Sequence, residues 1–465
     1  MNGNLHTAVL IFFASSLFFN CGSGGNGSDV QESKDIFDIE MLEFFEDGGI
    51  SETAGDLFET VIPPEGFSGA FGVFAVFTDE FKDFYQAMGM DLVQYQDWAG
   101  KKMNELGAAW SRSNLQLVWD LVEPVLGGEF DWDASLGGEK VFQAAAKHGV
   151  HYLAVFHEGS GPDEMKRGEG KQKLRNPLDN LDAYKRFVEA TVERFDGDGK
   201  DDADGGVVIK HWQVGNETPG WTDSGRTAEE YVKWFEAVAE AARKADNDAR
   251  LVLIASTDGG FVDPVHTAVI KKLAEDGVVF DAVDLHHWGK GDLQSSTMSA
   301  VPAYIELLEE SGVSGVEIWS CEHGTYVGKP VKSPGKCDPE CPADKVCVPI
   351  LGCKTKCKSD NDCAAMMPLC DEATGMCGMP EQTEEDQARS LIYRYVVNRA
   401  NGVKRIMWNN LAAWRCFAGM CGDFFDKLGL VADGYGPGET ASDVGKPRLS
   451  FYSYKMLAER TDEKK

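Results

Sequence analysis

Positive charge is scarce in this 465-residue chain: 45 Lys and Arg stand against 76 Asp and Glu, a formal net charge of -31. A surface of that sign repels nucleic acid and anionic lipid, which excludes both as principal partners. The apolar run Ala8–Phe19 is short for a membrane span, which takes about 20 residues. No glycine-rich phosphate turn follows the first β-rich run, since Phe74–Thr78 reads FAVFT, so an open nucleotide-binding sheet is disfavoured. Cys-x2-Cys pairs are missing as well, which argues against zinc.

What is present begins with an export signal. Ala8–Phe19 has the length of a signal-peptide core, although Met1–Thr7 carries no Lys or Arg. The run ends at Asn20-Cys21-Gly22-Ser23 and passes into GSGGNGSD. This resembles a bacterial lipoprotein signal, with Cys21 as the lipid-modified residue; an ordinary cleaved signal is the alternative. Either way the protein is expected to be exported, and to touch a membrane only through that anchor. Residues 1–21 are thus read as signal and 22–65 as linker and acidic approach segment.

The 12 cysteines fit an oxidising compartment, and eight fall between Cys337 and Cys377. Their spacing splits into two similar units, CDPECPADKVCVPILGC and CKSDNDCAAMMPLCDEATGMC, four cysteines in each. Residues 329–382 are therefore expected to be a small disulfide-rich insertion. With Cys21 set aside the number is odd, so one thiol should stay free. Cys416 and Cys421 are expected to pair.

From residue 66 short β-rich runs alternate with segments of helical period. The strands are placed at 69–77, 108–114, 152–156, 207–215, 251–256, 282–287, 315–321 and 405–409. Helical stretches lie between them, and the chain closes on 448–459. Eight strand–helix pairs predict an α/β fold, a (β/α)8 barrel spanning 66–328 and 383–465. One loop, DGDGKDDAD at 196–204, alternates Asp with Gly. Asp196, Asp198 and Asp202 there are candidates for a structural calcium, with a solvated acidic turn as the alternative.

Barrel enzymes place their chemistry at the C-terminal ends of the strands. The fourth predicted strand ends in Gln213-Val214-Gly215-Asn216-Glu217 and the seventh in Trp319-Ser320-Cys321-Glu322. Two carboxyls from separate strand ends can flank one anomeric carbon, one as a proton donor and one as a nucleophile, about 5–5.5 Å apart. His157, directly after the third strand, is a candidate for lining a sugar subsite.

An Asn-Glu after strand four and a Glu after strand seven resemble the clan A, or "4/7", glycoside hydrolases, and within them family 39-like or family 5-like members. The likeness extends to Arg112 in WSRSN, to Trp119, Glu123-Pro124, Gly128 and Phe130-Asp131-Trp132, to His286-His287-Trp288, and to Trp408. It implies Glu217 as general acid/base and Glu322 as nucleophile. It implies Asn216 on the sugar 2-hydroxyl, Arg112 beneath the nucleophile and Trp408 as an aromatic platform. Only one of His286 and His287 should face the barrel mouth, and His287 is slightly favoured. Cys321, next to Glu322, should point away into the barrel–helix layer and be the unpaired thiol. The expected activity is retaining hydrolysis of a β-linked oligo- or polysaccharide, with no cofactor required. The alternative is a non-catalytic, adhesin-like carbohydrate-binding lipoprotein on the same barrel.

Overall fold

The computed structural model describes residues 69–461 apart from 135–137, 158–163, 168–169, 174, 223–224, 258–261, 289–293, 331–339, 349–351, 364–368, 372–374 and 415–423. The signal, the linker and the Cys416–Cys421 pair lie outside the described residues. Eight parallel strands close into a barrel: β1 (Phe71–Phe74), β2 (Trp110–Leu117), β3 (His151–Phe156), β4 (His211–Val214), β5 (Arg250–Val252), β6 (Ala282–Trp288), β7 (Glu317–Gly324) and β8 (Arg405–Trp408). Each is followed by a helix: α1 (Leu92–Leu106), α2 (Gly138–Lys147), α3 (Leu181–Phe195), α4 (Ala228–Ala245), α5 (Pro264–Asp276), α6 (Gln294–Glu310), α7 (Glu384–Ala400) and α8 (Leu449–Thr461). The (β/α)8 architecture read from the sequence is the architecture of the molecule.

Local chemistry explains where the helices start. Asp91, Thr227 and Thr383 each cap a helix through a reciprocal box with the residue three positions on, Gln94, Glu230 and Asp386. Along the strands, period two sorts side chains between two cores. Outward residues such as Phe156, Trp212, Val283 and Leu285 join the large barrel–helix core, and the rings of Phe156 and Trp212 stack at 5.3 Å. Inward residues Trp110, Leu153, Val252, Ala282, Trp319 and Met407 form a separate cluster that fills the barrel.

β7 breaks that alternation. Asp284 and His286 of β6 pair with Trp319 and Glu322, and Ile406 and Trp408 of β8 pair with Ser320 and His323. Against both neighbours β7 carries one residue more, a β-bulge. Cys321 therefore does not face the helices as expected. It lies in the interior cluster beside Met407 and Trp319, buried and unpaired.

The insertion leaves the barrel after β7, where Gly328 and Gln382 exchange backbone hydrogen bonds of 2.7 and 2.9 Å. Its described residues form two hairpins, Lys345–Val348 with Gly352–Thr355 and Leu369–Asp371 with Met376–Gly378. Disulfides join Cys341 to Cys353, Cys357 to Cys370 and Cys363 to Cys377, so every described bridge stays within its own unit. Three disulfides fit an exported protein. Among the described residues no helix is long and apolar enough to cross a membrane.

Candidate active site

Glu217 is positioned by a turn that only glycine accommodates. β4 ends at Val214, and Gly215 takes φ 84°, where a Cβ would sit 2.9 Å from Ile254. The reversal sends Asn216-Glu217 across to the next strand segment. There Ala255 N donates to Asn216 O at 2.9 Å and Thr218 N donates to Ala255 O at 2.9 Å. Glu322 arrives from β7, turned inward by the bulge.

The two glutamates converge. One carboxylate oxygen of each, together with one ring nitrogen of His286, lie within 4.8 Å of one another, all three residues buried. Arg112, fully buried on β2, serves three partners at once: Glu322 Oε1 at 2.5 Å, Asn216 Oδ1 at 2.8 Å and Gln213 Oε1 at 2.7 Å. Gln213 in turn donates to Asp284 Oδ2 at 2.8 Å. Asp284 lies 3.2 Å from His286 Nε2, and His286 Nδ1 lies 2.7 Å from Glu217 Oε1. Asn216, Arg112, Gln213, Asp284, His286 and Glu217 thus form one continuous polar chain beneath the pair. Glu322 Oε2 is buried without a hydrogen-bond partner.

Both ring nitrogens of His286 face carboxylates, an arrangement that the doubly protonated imidazolium satisfies. Burial works against that charge, but Glu322 and Asp284 outweigh it and raise His286 to about 9. Asp284 is driven in the opposite direction. Burial favours its neutral form, yet His286 and Arg112 hold it well below the usual carboxylate range. For Glu322 burial is the largest influence and pushes the carboxyl up, Glu217 adding to it, while His286 and Arg112 pull it back.

His287 was favoured for the mouth, and the geometry corrects this. Val283 and Leu285 face the helices, so the alternate set Ala282, Asp284 and His286 faces inward. His287 packs edge-on against His323 at 5.9 Å, and burial with Arg394 nearby lowers it to about 3. Trp408 is corrected for the same reason. Met407 fills the barrel, so Trp408 points outward, donates to Leu428 O at 3.1 Å and lies against Tyr395 of α7. It is no sugar platform. His157 is buried immediately after β3.

Asp196, Asp198 and Asp202 do gather, with one oxygen of each within 4.8 Å of the others. Both oxygens of Asp202 accept backbone N–H groups, from Gly197 at 3.0 Å and Gly199 at 2.7 Å, and Asp198 Oδ1 accepts Lys200 N at 2.8 Å. Sequence reasoning passed over Gln213 and Asp284 and placed His286 just behind His287. Period two along AVDLHHW and HWQV was the available signal, since the apolar residues of each run fix the face on which the polar ones lie.

No family model and no curated protein matches this chain. Solved structures do. It is similar to a glucosidase from Croceicoccus marinus at 11% identity and TM-score 0.51, covering 78% of this chain and 63% of that one. It is similar to a family 39 glycoside hydrolase from the gut symbiont Bacteroides cellulosilyticus at 13% identity and TM-score 0.52, covering 87% and 66%. The chain shares the (β/α)8 barrel of these structures. A monomeric β-xylosidase from Caulobacter crescentus matches at 14% identity and TM-score 0.50, covering 86% and 69%. The chain spans just under two thirds of the length of the first two structures.

Proposed function

We propose that this protein is an exported, retaining glycoside hydrolase that cleaves a β-linked oligo- or polysaccharide by double displacement. The observation that carries the reading is the approach of Glu217 and Glu322 within 4.8 Å, since a retaining site needs two carboxyls about this close.

The reading gives the two glutamates different roles. Arg112 and His286 bring two positive charges to a buried group that also holds Asp284, Glu217 and Glu322. The set is neutral when the glutamates share one proton. In this reading Glu322 is the ionised partner although burial pushes its carboxyl up, because Arg112 pairs with Oε1 and leaves Oε2 free to attack. Glu217 then carries the proton and delivers it to the departing oxygen. In the second half-reaction Glu217, now ionised, accepts a proton from water that hydrolyses the glycosyl–Glu322 ester. Asn216, held by Arg112, presents its amide to the 2-hydroxyl. No cofactor enters these steps.

Glu322→Gln should lower kcat per folded molecule on the order of 10⁴-fold or more, and Glu217→Gln by roughly 10²–10⁴-fold. An activated 2-fluoro glycoside should label the peptide containing Glu322. Label on another peptide, with Glu322→Gln still turning over, overturns the assignment. A wild-type chain that binds glycans and cleaves none is instead an adhesin-like binder.

A further inference from the structure

β8 supplies something other than the aromatic platform expected of it. Arg405 lies inside the barrel over the Trp110 and Trp319 rings, Met407 fills the interior and Trp408 faces α7. Continuing that alternation turns Asn409 into the mouth. Its N–H donates to His323 O at 2.9 Å, which fixes it beside the residue that follows Glu322. Asn409 and Asn410 are both completely buried, yet none of their four side-chain amide atoms has a hydrogen-bond partner. Glu322 is equally buried, so depth does not separate these amides from a substrate that reaches Glu322. On β2, which with β8 flanks β1, Asn114 Oδ1 and both amide atoms of Gln116 are likewise buried and unpartnered.

A carboxamide kept out of water with no partner is unfavourable, and such groups persist where a ligand satisfies them. The matching chemistry is the sugar hydroxyl, which donates and accepts at once, as an amide does. We propose that Asn409 is a specificity-determining residue that reads a hydroxyl of the sugar seated over Glu322, in the place of an aromatic stacking face. The inference rests on the glycosidase reading and deepens it. A ring face stacks on sugars that differ at one hydroxyl, whereas an amide left unpaired by a missing or inverted hydroxyl rejects that sugar.

The test compares wild type, Asn409→Ala and Asn409→Leu on a panel of 4-nitrophenyl β-glycosides and on monodeoxy analogues of the best one. Melting temperatures are recorded alongside, and the same sugars are titrated into each variant. The expected result is a 10- to 100-fold drop in kcat/KM for Asn409→Ala on the parent glycoside. One monodeoxy analogue should be cleaved by wild type and Asn409→Ala at rates within about twofold, which names the hydroxyl. A parent kcat/KM within twofold of wild type, or an equal loss on every analogue, overturns the proposal. If wild type cleaves none of the panel but binds a sugar, hydrolysis fails as the function, and weaker binding by Asn409→Ala still supports Asn409 as a sugar-reading residue. If wild type neither cleaves nor binds, both readings fall.

Discussion

The barrel buries an arginine at each end, and the two are treated differently. At the N-terminal end Arg405 lies 4.5 Å from the ring centres of both Trp110 and Trp319 and pairs with Glu317. His211 beside it is pushed far below its ordinary pKa, by burial first and then by Arg405 and Arg250. One ion pair sheathed in rings, next to an uncharged histidine, is an arrangement for holding strands together. At the C-terminal end Arg112 meets side chains that lead on to two more carboxylates and a charged histidine, and Glu322 keeps one oxygen unpaired. The difference teaches where to look for chemistry. Charge at the floor is one pair packed among rings, whereas at the mouth it is a linked network of carboxylates that ends in the proposed nucleophile's open oxygen.

Exchanging the two arginines for methionine is the hardest test of that contrast. Arg112→Met should cut kcat by roughly 10²–10³-fold, the scale of losing one preorganised donor. Arg405→Met should cost about 3 kcal/mol of stability by stranding Glu317, with the folded fraction still active. Equal effects of both on kcat per folded molecule would dissolve the distinction.

A smaller effect concerns pH. His286 is raised from 6.5 to about 9, so its contribution to stability is fully present below its unfolded value, near 6.5, and is lost as pH rises through 9. The melting temperature of wild type should fall across that window, and His286→Gln should flatten the fall. His211, held neutral at the floor, adds no transition there. A profile unchanged in His286→Gln would place the titration elsewhere.

Smaller still is the behaviour of Cys321. Its thiol is pushed well above the ordinary value, by burial first and by Asp284 next. It should resist an aromatic disulfide reagent in the native state and react on unfolding, and Cys321→Ala should cost about 1–2 kcal/mol. Labelling of native protein at the rate of a surface thiol would contradict the interior placement. The smallest expected change belongs to the Asp196–Asp202 loop. Chelation should lower the melting temperature by a few degrees at most, within the range of about 1 kcal/mol for a small site, and leave kcat untouched. Identical melting in calcium and in chelator removes the ion from that loop.

Much of this was legible in the residues themselves. Alternating β-rich and helical segments gave all eight barrel strands within a few positions, because each strand must pair and each helix must cover it. Glu217 and Glu322 could be singled out as candidates because barrel chemistry sits at strand ends, and the fold does bring them together. The cysteine units could be read because local spacing limits which thiols meet.

What the chain alone could not decide was the direction in which neighbouring side chains face. An extra residue in β7 turns both Cys321 and Glu322 inward, and only the register against β6 and β8 reveals it. The register of the closed sheet likewise sent Trp408 out to α7, whereas the inward face of His286 was there to be read in the alternation of AVDLHHW. Period two is a property of one strand, whereas inside and outside are properties of a closed sheet. A single bulge exchanges them without leaving a mark in composition or spacing.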